Sequence, residues 1–169
     1  MIHKGEYPIL EWGSHLPVLL FCLQFTKGPV IECGGGIYST ALLHLYSQRR
    51  YCRTIETNPD WCNKIRDFFD TRWNHEFVQV REYKEAIVDD LEWGVAFIDM
   101  EEPVDRVLLA EKLKHRTRLC IVHDTQRRDY SAALDRYRYK YTFTNVHPYT
   151  SVGSMTDSLE WLDAPLKNF

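Results

Sequence analysis

Val30-Ile31-Glu32-Cys33-Gly34-Gly35-Gly36-Ile37-Tyr38-Ser39-Thr40 runs from a short apolar stretch through a glycine cluster into a helical pattern. Tyr38, Ala41, Leu42, Leu45 and Tyr46 recur at helical spacing, so the segment predicts a strand–loop–helix unit. Glycines at such a junction let the backbone approach a ligand and leave the helix N-terminus directed at it. The next strand, Tyr51 to Glu56, ends on a carboxylate about twenty residues beyond the third glycine. An acid there can accept hydrogen bonds from the hydroxyls of an adenosine ribose.

Outward from this unit the same alternation continues. Upstream, Ser14 is placed to cap a helix over about 14–26, with Leu16, Leu19, Leu20 and Leu23 on one face. Downstream, Asn58-Pro59 opens a helix whose predicted buried stripe is Trp61, Ile65, Phe68 and Phe69. Strands are predicted at Phe77–Arg81, at Val95–Ile98 ending on Asp99, and at Leu119–Val122 ending on His123-Asp124. Helices are predicted at about Val104–Lys114 and, basic and tyrosine-rich, at Tyr130–Tyr137, followed by an antiparallel hairpin over Tyr139–Met155. Near-continuous apolar strands alternating with helices imply a parallel sheet covered on both faces. The expected fold is therefore α/β, a doubly wound Rossmann-like sheet, mostly parallel with an antiparallel C-terminal edge. It forms one domain over 1–169, with a core over about 29–155.

Length and composition narrow the function classes. The chain has 169 residues, 44% hydrophobic and 27% charged, with a net charge of −3, so no global basic field indicates a nucleic-acid partner. The local patch Arg127, Arg128, Arg136, Arg138 and Lys140, with its interleaved tyrosines, leaves a polyanion open; a solvated helix face is the simpler account. No apolar run reaches a membrane span, and the N-terminal residues lack a signal-peptide core. Five cysteines without a Cys-x-x-Cys pair argue against a disulfide framework or zinc knuckle and for a reducing cytoplasm. Homo-oligomerisation stays open.

Glu32 bears on the ligand. A carboxylate two residues before the first glycine repels a pyrophosphate, whereas it suits a cationic end such as the ammonium of a methionine moiety. Ser39 also stands where the third glycine of a Gly-x-Gly-x-x-Gly pattern would fall, so NAD becomes the lesser alternative.

The glycine-loop segment Val30 to Thr40 resembles motif I of class I S-adenosylmethionine-dependent methyltransferases. Thr54-Ile55-Glu56-Thr57-Asn58 resembles their acidic second-strand motif and Ala96-Phe97-Ile98-Asp99 their fourth-strand motif. Val122-His123-Asp124-Thr125 is similar to the fifth-strand ending of a subgroup with His-Asp-Thr or His-Asp-Ser. The similarity spans about Trp12 to Asp124. It implies S-adenosylmethionine as cofactor, with Gly34 and Gly36 against its methionine part, Glu56 on the ribose and Asn58 beside the adenine. Glu32, Gly35, Ser39, Thr40 and Thr57 complete the expected binding set. Two departures stand out: Met100, Glu101, Glu102 and Pro103 replace an acid and a His after the fourth strand, and Glu82-Tyr83-Lys84-Glu85 lacks an Asp-Ala pair. Tyr83 is then a candidate to stack on the adenine.

Asp99, His123 and Asp124 end adjacent central strands and are the candidate catalytic residues. Either His123 or Asp99 is a general base, or Asp99 and Asp124 hold a divalent cation such as Mg²⁺ that polarises a hydroxyl pair. The motifs of amino-methylating and cytosine C5-methylating nucleic-acid enzymes are absent, which favours O-methylation of a small molecule or saccharide. The alternatives are an S-adenosylmethionine-binding sensor or sink, and an NAD(P)-dependent oxidoreductase. The chain's length leaves little room for a separate substrate-recognition insert, so the tyrosine-rich C-terminal third is expected to wall the acceptor site.

Overall fold

The computed structural model describes residues 13–69 and 74–167; Trp12 lies outside them. The strands are β1 (Val30–Cys33), β2 (Cys52–Glu56), β3 (His75–Gln79), β4 (Trp93–Ile98), β5 (Thr117–His123), β6 (Tyr139–Phe143) and β7 (Thr150–Ser154). The helices are α1 (Leu16–Phe25), α2 (Ile37–Tyr46), α3 (Pro59–Phe68), α4 (Pro103–Leu113), α5 (Arg128–Ser131) and α6 (Asp163–Leu166). Strand order is β3-β2-β1-β4-β5-β7-β6, parallel from β3 to β5. The expected C-terminal hairpin is present, with antiparallel β7 inserted between β5 and the edge strand β6.

The central strands alternate between two cores. Val30, Val95, Phe97, Leu119 and Ile121 pack with Val18, Leu19, Leu23, Leu43 and Leu162, while Ile31, Ala96, Ile98, Cys120 and Val122 pack with Leu109, Ala110 and Leu113. Burial on both faces is why these strands read as unbroken apolar runs. All five cysteines are buried free thiols. Among the described residues no helix is long and apolar enough to cross a membrane.

Several elements depart from expectation. Asn58 does cap α3, accepting from the N–H groups of Asp60 and Trp61. Its buried stripe, however, is Cys62 and Ile65, and Phe68 is exposed. On α2 the buried positions are Ser39, Thr40, Leu43 and His44, and Leu45 is exposed, because this face meets a buried polar group rather than an apolar one. The predicted Tyr130–Tyr137 helix is one turn of α-helix, α5, followed by a 3-10 turn at Ala132–Leu134. Ser14 does not cap α1: the N-cap is His15, without a side-chain cap bond, and the Ser14 hydroxyl faces His123.

Candidate functional site

The sheet order reverses between β1 and β4, and the ends of these strands with β2 and β5 carry the site. The backbone draws them together beyond the strands: Gly34 N–H donates to Ile55 O, and Asp99 N–H to Cys33 O, both at 2.9 Å. Gly34 has φ +88°, and a Cβ there would lie 2.1 Å from Asp99 O. Only glycine allows both the turn and that approach.

Glu32 is fully buried beneath the loop and lines neither of the two cavities described below. Its Oε2 accepts from Thr40 Oγ1 at 2.7 Å and Thr54 Oγ1 at 2.6 Å, and Thr40 Oγ1 in turn accepts from Gly36 N–H. Oε1 has no hydrogen-bond partner among the described residues. Burial pushes the Glu32 carboxyl up to about 7, against the hydroxyls of Ser39, Thr54 and Thr40, which favour the ionised form. The polar line continues from Thr54 Oγ1 to His75 Nε2 at 2.9 Å and from His75 Nδ1 to His44 Nδ1 at 3.2 Å.

Two cavities flank the loop. The first, about 620 Å³, is lined by Gly34, Gly35, Glu56, Thr57, Asn58, Tyr83 and Met100, among others. The Glu56 carboxylate is fixed by three backbone donors, Gly35 N–H at 3.0 Å and the N–H groups of Thr57 and Asn58 at 2.8 Å. Tyr83 is a buried wall residue, not a solvated loop side chain. The second cavity, about 550 Å³, is lined by Gly36, Tyr38, Ser39, His123 and Asp124, together with His15 and His147. Asp99 and Trp61 line both, and Trp61 Nε1–H donates to Gly35 O. Thr40 is buried behind the loop.

Asp99, His123 and Asp124 do converge. His123 Nδ1 lies 3.1 Å from Asp99 Oδ2 and 3.8 Å from Asp124 Oδ1, and its Nε2 lies 2.8 Å from Ser14 Oγ. Asp124 has φ +60°, a left-handed conformation that Asp tolerates better than most residues and that turns the chain directly after β5. Between Asp99 and Asp124, the pair that one of the two readings assigned to a divalent cation, lies a protein cation. Arg106 Nη2 lies 3.1 Å from Asp99 Oδ1 and 3.8 Å from Asp124 Oδ2. Arg106 is 2% exposed; it also donates to Met100 O and His123 O and lies over the Tyr130 ring. Asp99 is held below the usual carboxylate range: burial raises it, but His123 and Arg106 beside it outweigh that. Burial and the neighbouring His123 push His15 down to about 3, so it is neutral.

Arg106, Trp61 and Tyr38 belong to this site, and sequence reasoning did not assign them to it; His15 was placed only in an N-terminal segment expected to close over the cofactor. All five residues of the basic patch, Arg127, Arg128, Arg136, Arg138 and Lys140, are exposed; Arg127 pairs with Asp129, Arg136 with Glu111, and Arg138 lies over Tyr139. The C-terminal tyrosines do not wall the second cavity: the hydroxyls of buried Tyr130 and Tyr137 donate to Glu101 O and Ala110 O.

No family model and no curated protein matches this sequence. Solved structures do match. The chain superposes on human Methyltransferase-like protein 13 in complex with S-adenosylhomocysteine with TM-score 0.64 and 12% identity, covering 92% of this chain and 87% of that one. A methyltransferase from Pyrococcus furiosus gives TM-score 0.58 and 13% identity over 82% of each chain. The bifunctional kinase-methyltransferase WbdD gives 0.63 and 12%, covering 90% of this chain. This chain spans 42% of that WbdD chain. The fold is that of class I methyltransferases.

Proposed function

We propose that the chain is an S-adenosylmethionine-dependent methyltransferase acting on a hydroxyl of a small molecule or saccharide. The observation that carries this is the shared wall: a nucleoside-sized cavity and a second cavity meet at Asp99 and Trp61. Two adjoining cavities that share lining residues can bring two reactants together for direct group transfer. The first cavity fits the cofactor by its chemistry. Glu56 is an acceptor-only carboxylate, already oriented by three N–H groups and with lone-pair capacity left for a ribose diol. Tyr83 and Asn58 flank the base, and Gly34 to Gly36 hold the methionine end. Glu32 acts from beneath, bracing the loop through Thr40. When bound, S-adenosylmethionine supplies an electrophilic methyl group.

On the acceptor side, Tyr38, Trp61 and His147 provide apolar and aromatic surface for a small substrate. Asp124 orients the acceptor hydroxyl, and the Asp99–His123 pair takes its proton, with Arg106 and Ser14 holding that pair in place. The five buried free thiols support a reducing, cytoplasmic setting.

The test is transfer from methyl-labelled S-adenosylmethionine to a panel of phenols, sugars and hydroxy acids. Asp99→Asn should lower kcat by about 100-fold or more while S-adenosylhomocysteine still binds saturably. Native rates in that variant would remove Asp99 from the chemistry. Tight cofactor binding without transfer to any acceptor would mark a sensor or sink.

A further inference from the structure

His15 is 2% exposed, packed between Phe97 and His123 with ring centroids 4.8 Å from each. Neither of its ring nitrogens has a hydrogen-bond partner among the described residues. Buried polar groups are nearly always satisfied, because an unmade bond leaves the desolvation cost uncompensated. An imidazole left with both nitrogens unmade therefore indicates a group that completes it. His15 lines the acceptor cavity together with Asp99 and His123, and one donor atom from each lies within 4.8 Å of the others.

The surroundings are arranged as around a ligand set. Asp99 turns Oδ1 to Arg106 and Oδ2 inward, towards His123 Nδ1. His123 keeps its other nitrogen on Ser14 Oγ, the outer contact by which a ligating imidazole is oriented. Metal–nitrogen and metal–oxygen bonds of about 2.0–2.2 Å are reached from such a spacing by small side-chain rotations.

We propose that His15, Asp99 and His123 bind one divalent transition-metal ion of the zinc, cobalt and iron(II) class, with open positions facing the acceptor cavity. Two imidazoles and one carboxylate select such ions over Mg²⁺, which prefers oxygen donors. The ion takes the place of the proton shared by His123 and Asp99, while Arg106 stays on the opposite carboxylate oxygen. Its use rests on the methyl-transfer reading and would replace the proton-accepting role of the Asp99–His123 pair: the bound ion would hold the acceptor hydroxyl and raise its acidity, and Asp124 would take the proton. Binding of the ion itself is independent of that reading.

The experiment titrates chelator-treated protein with Co²⁺, followed by visible absorption and equilibrium dialysis. One ion per chain is expected, with nitrogen–oxygen rather than thiolate spectra. His15→Ala and His15→Gln should each weaken binding at least about tenfold while circular dichroism and thermal melting confirm the fold. In the unmodified chain, Co²⁺ should broaden the ring signals of His15 and His123 first. Absence of saturable binding, a thiolate spectrum, native affinity in both variants, or unperturbed histidine signals would overturn the site. S-adenosylhomocysteine titrated into the same samples reports on the methyl-transfer reading separately.

Discussion

Arg106 is the residue on which the strand ends depend. Its guanidinium is buried among two carboxylates, two backbone carbonyls and the Tyr130 ring, so its removal strands Asp99 and Asp124 against each other. Breaking a buried ion pair from one side costs about 3–5 kcal/mol. Arg106→Ala should lose that much in urea unfolding, and Arg106→Lys should recover only part because one ammonium cannot reproduce the fork. A loss below about 1 kcal/mol in the alanine variant would contradict the role assigned here. The carboxylates were legible in the sequence because each ends an apolar strand run. Arg106 was not, although a trace existed: positions 106, 109, 110 and 113 share one stripe of α4. Counting only apolar residues along the helix passes over a charge that occupies a core position.

At the scale of elements, β1, β2, β3 and α2 share a buried polar seam from Glu32 through Thr54 and His75 to His44. The seam explains why the strands could be read and α2 could not. Strands buried on both faces announce themselves by composition, whereas α2 turns Ser39, Thr40 and His44 inward beside Leu43 to meet the seam, so a count of apolar residues alone shifts its buried face and includes exposed Leu45. The seam also makes stability pH-dependent. With its folded pKa pushed up to about 7 from an ordinary 4.5, Glu32 holds its proton more tightly in the folded chain. That contribution is fully present below about 4.5 and is lost as pH rises through 7. His75, pushed down to about 3 by burial and by His44, acts oppositely, adding stability as pH rises from 3 towards 6.5. Glu32→Gln removes only the first effect. The stability of the native chain relative to this variant should therefore fall between pH 4.5 and 7, by at most about 1.4 kcal/mol per pH unit. Parallel denaturation curves across that range would contradict it.

For the whole molecule, the order of the sheet sets the function. The reversal between β1 and β4 opens a crevice, and the glycine loop divides it into two cavities with Asp99 on their common wall. The lining of the first cavity was largely legible, since Gly34, Gly35, Glu56 and Asn58 sit at loop and strand-end positions that local spacing specifies. Of the second cavity, Asp99, His123 and Asp124 were legible as strand ends, whereas Tyr38, Trp61 and His147 come from separated segments that only packing brings to it. The central claim is that the first cavity holds an adenosyl-amino acid through Glu56. Its most direct test is calorimetric titration of S-adenosylhomocysteine and NAD into the native chain and into Glu56→Ala. The expected result is saturable binding of the first ligand only, weakened about 10- to 100-fold in the variant, as loss of a charged hydrogen-bond acceptor predicts. Binding of NAD without S-adenosylhomocysteine, or equal affinity of the native chain and Glu56→Ala, would contradict it.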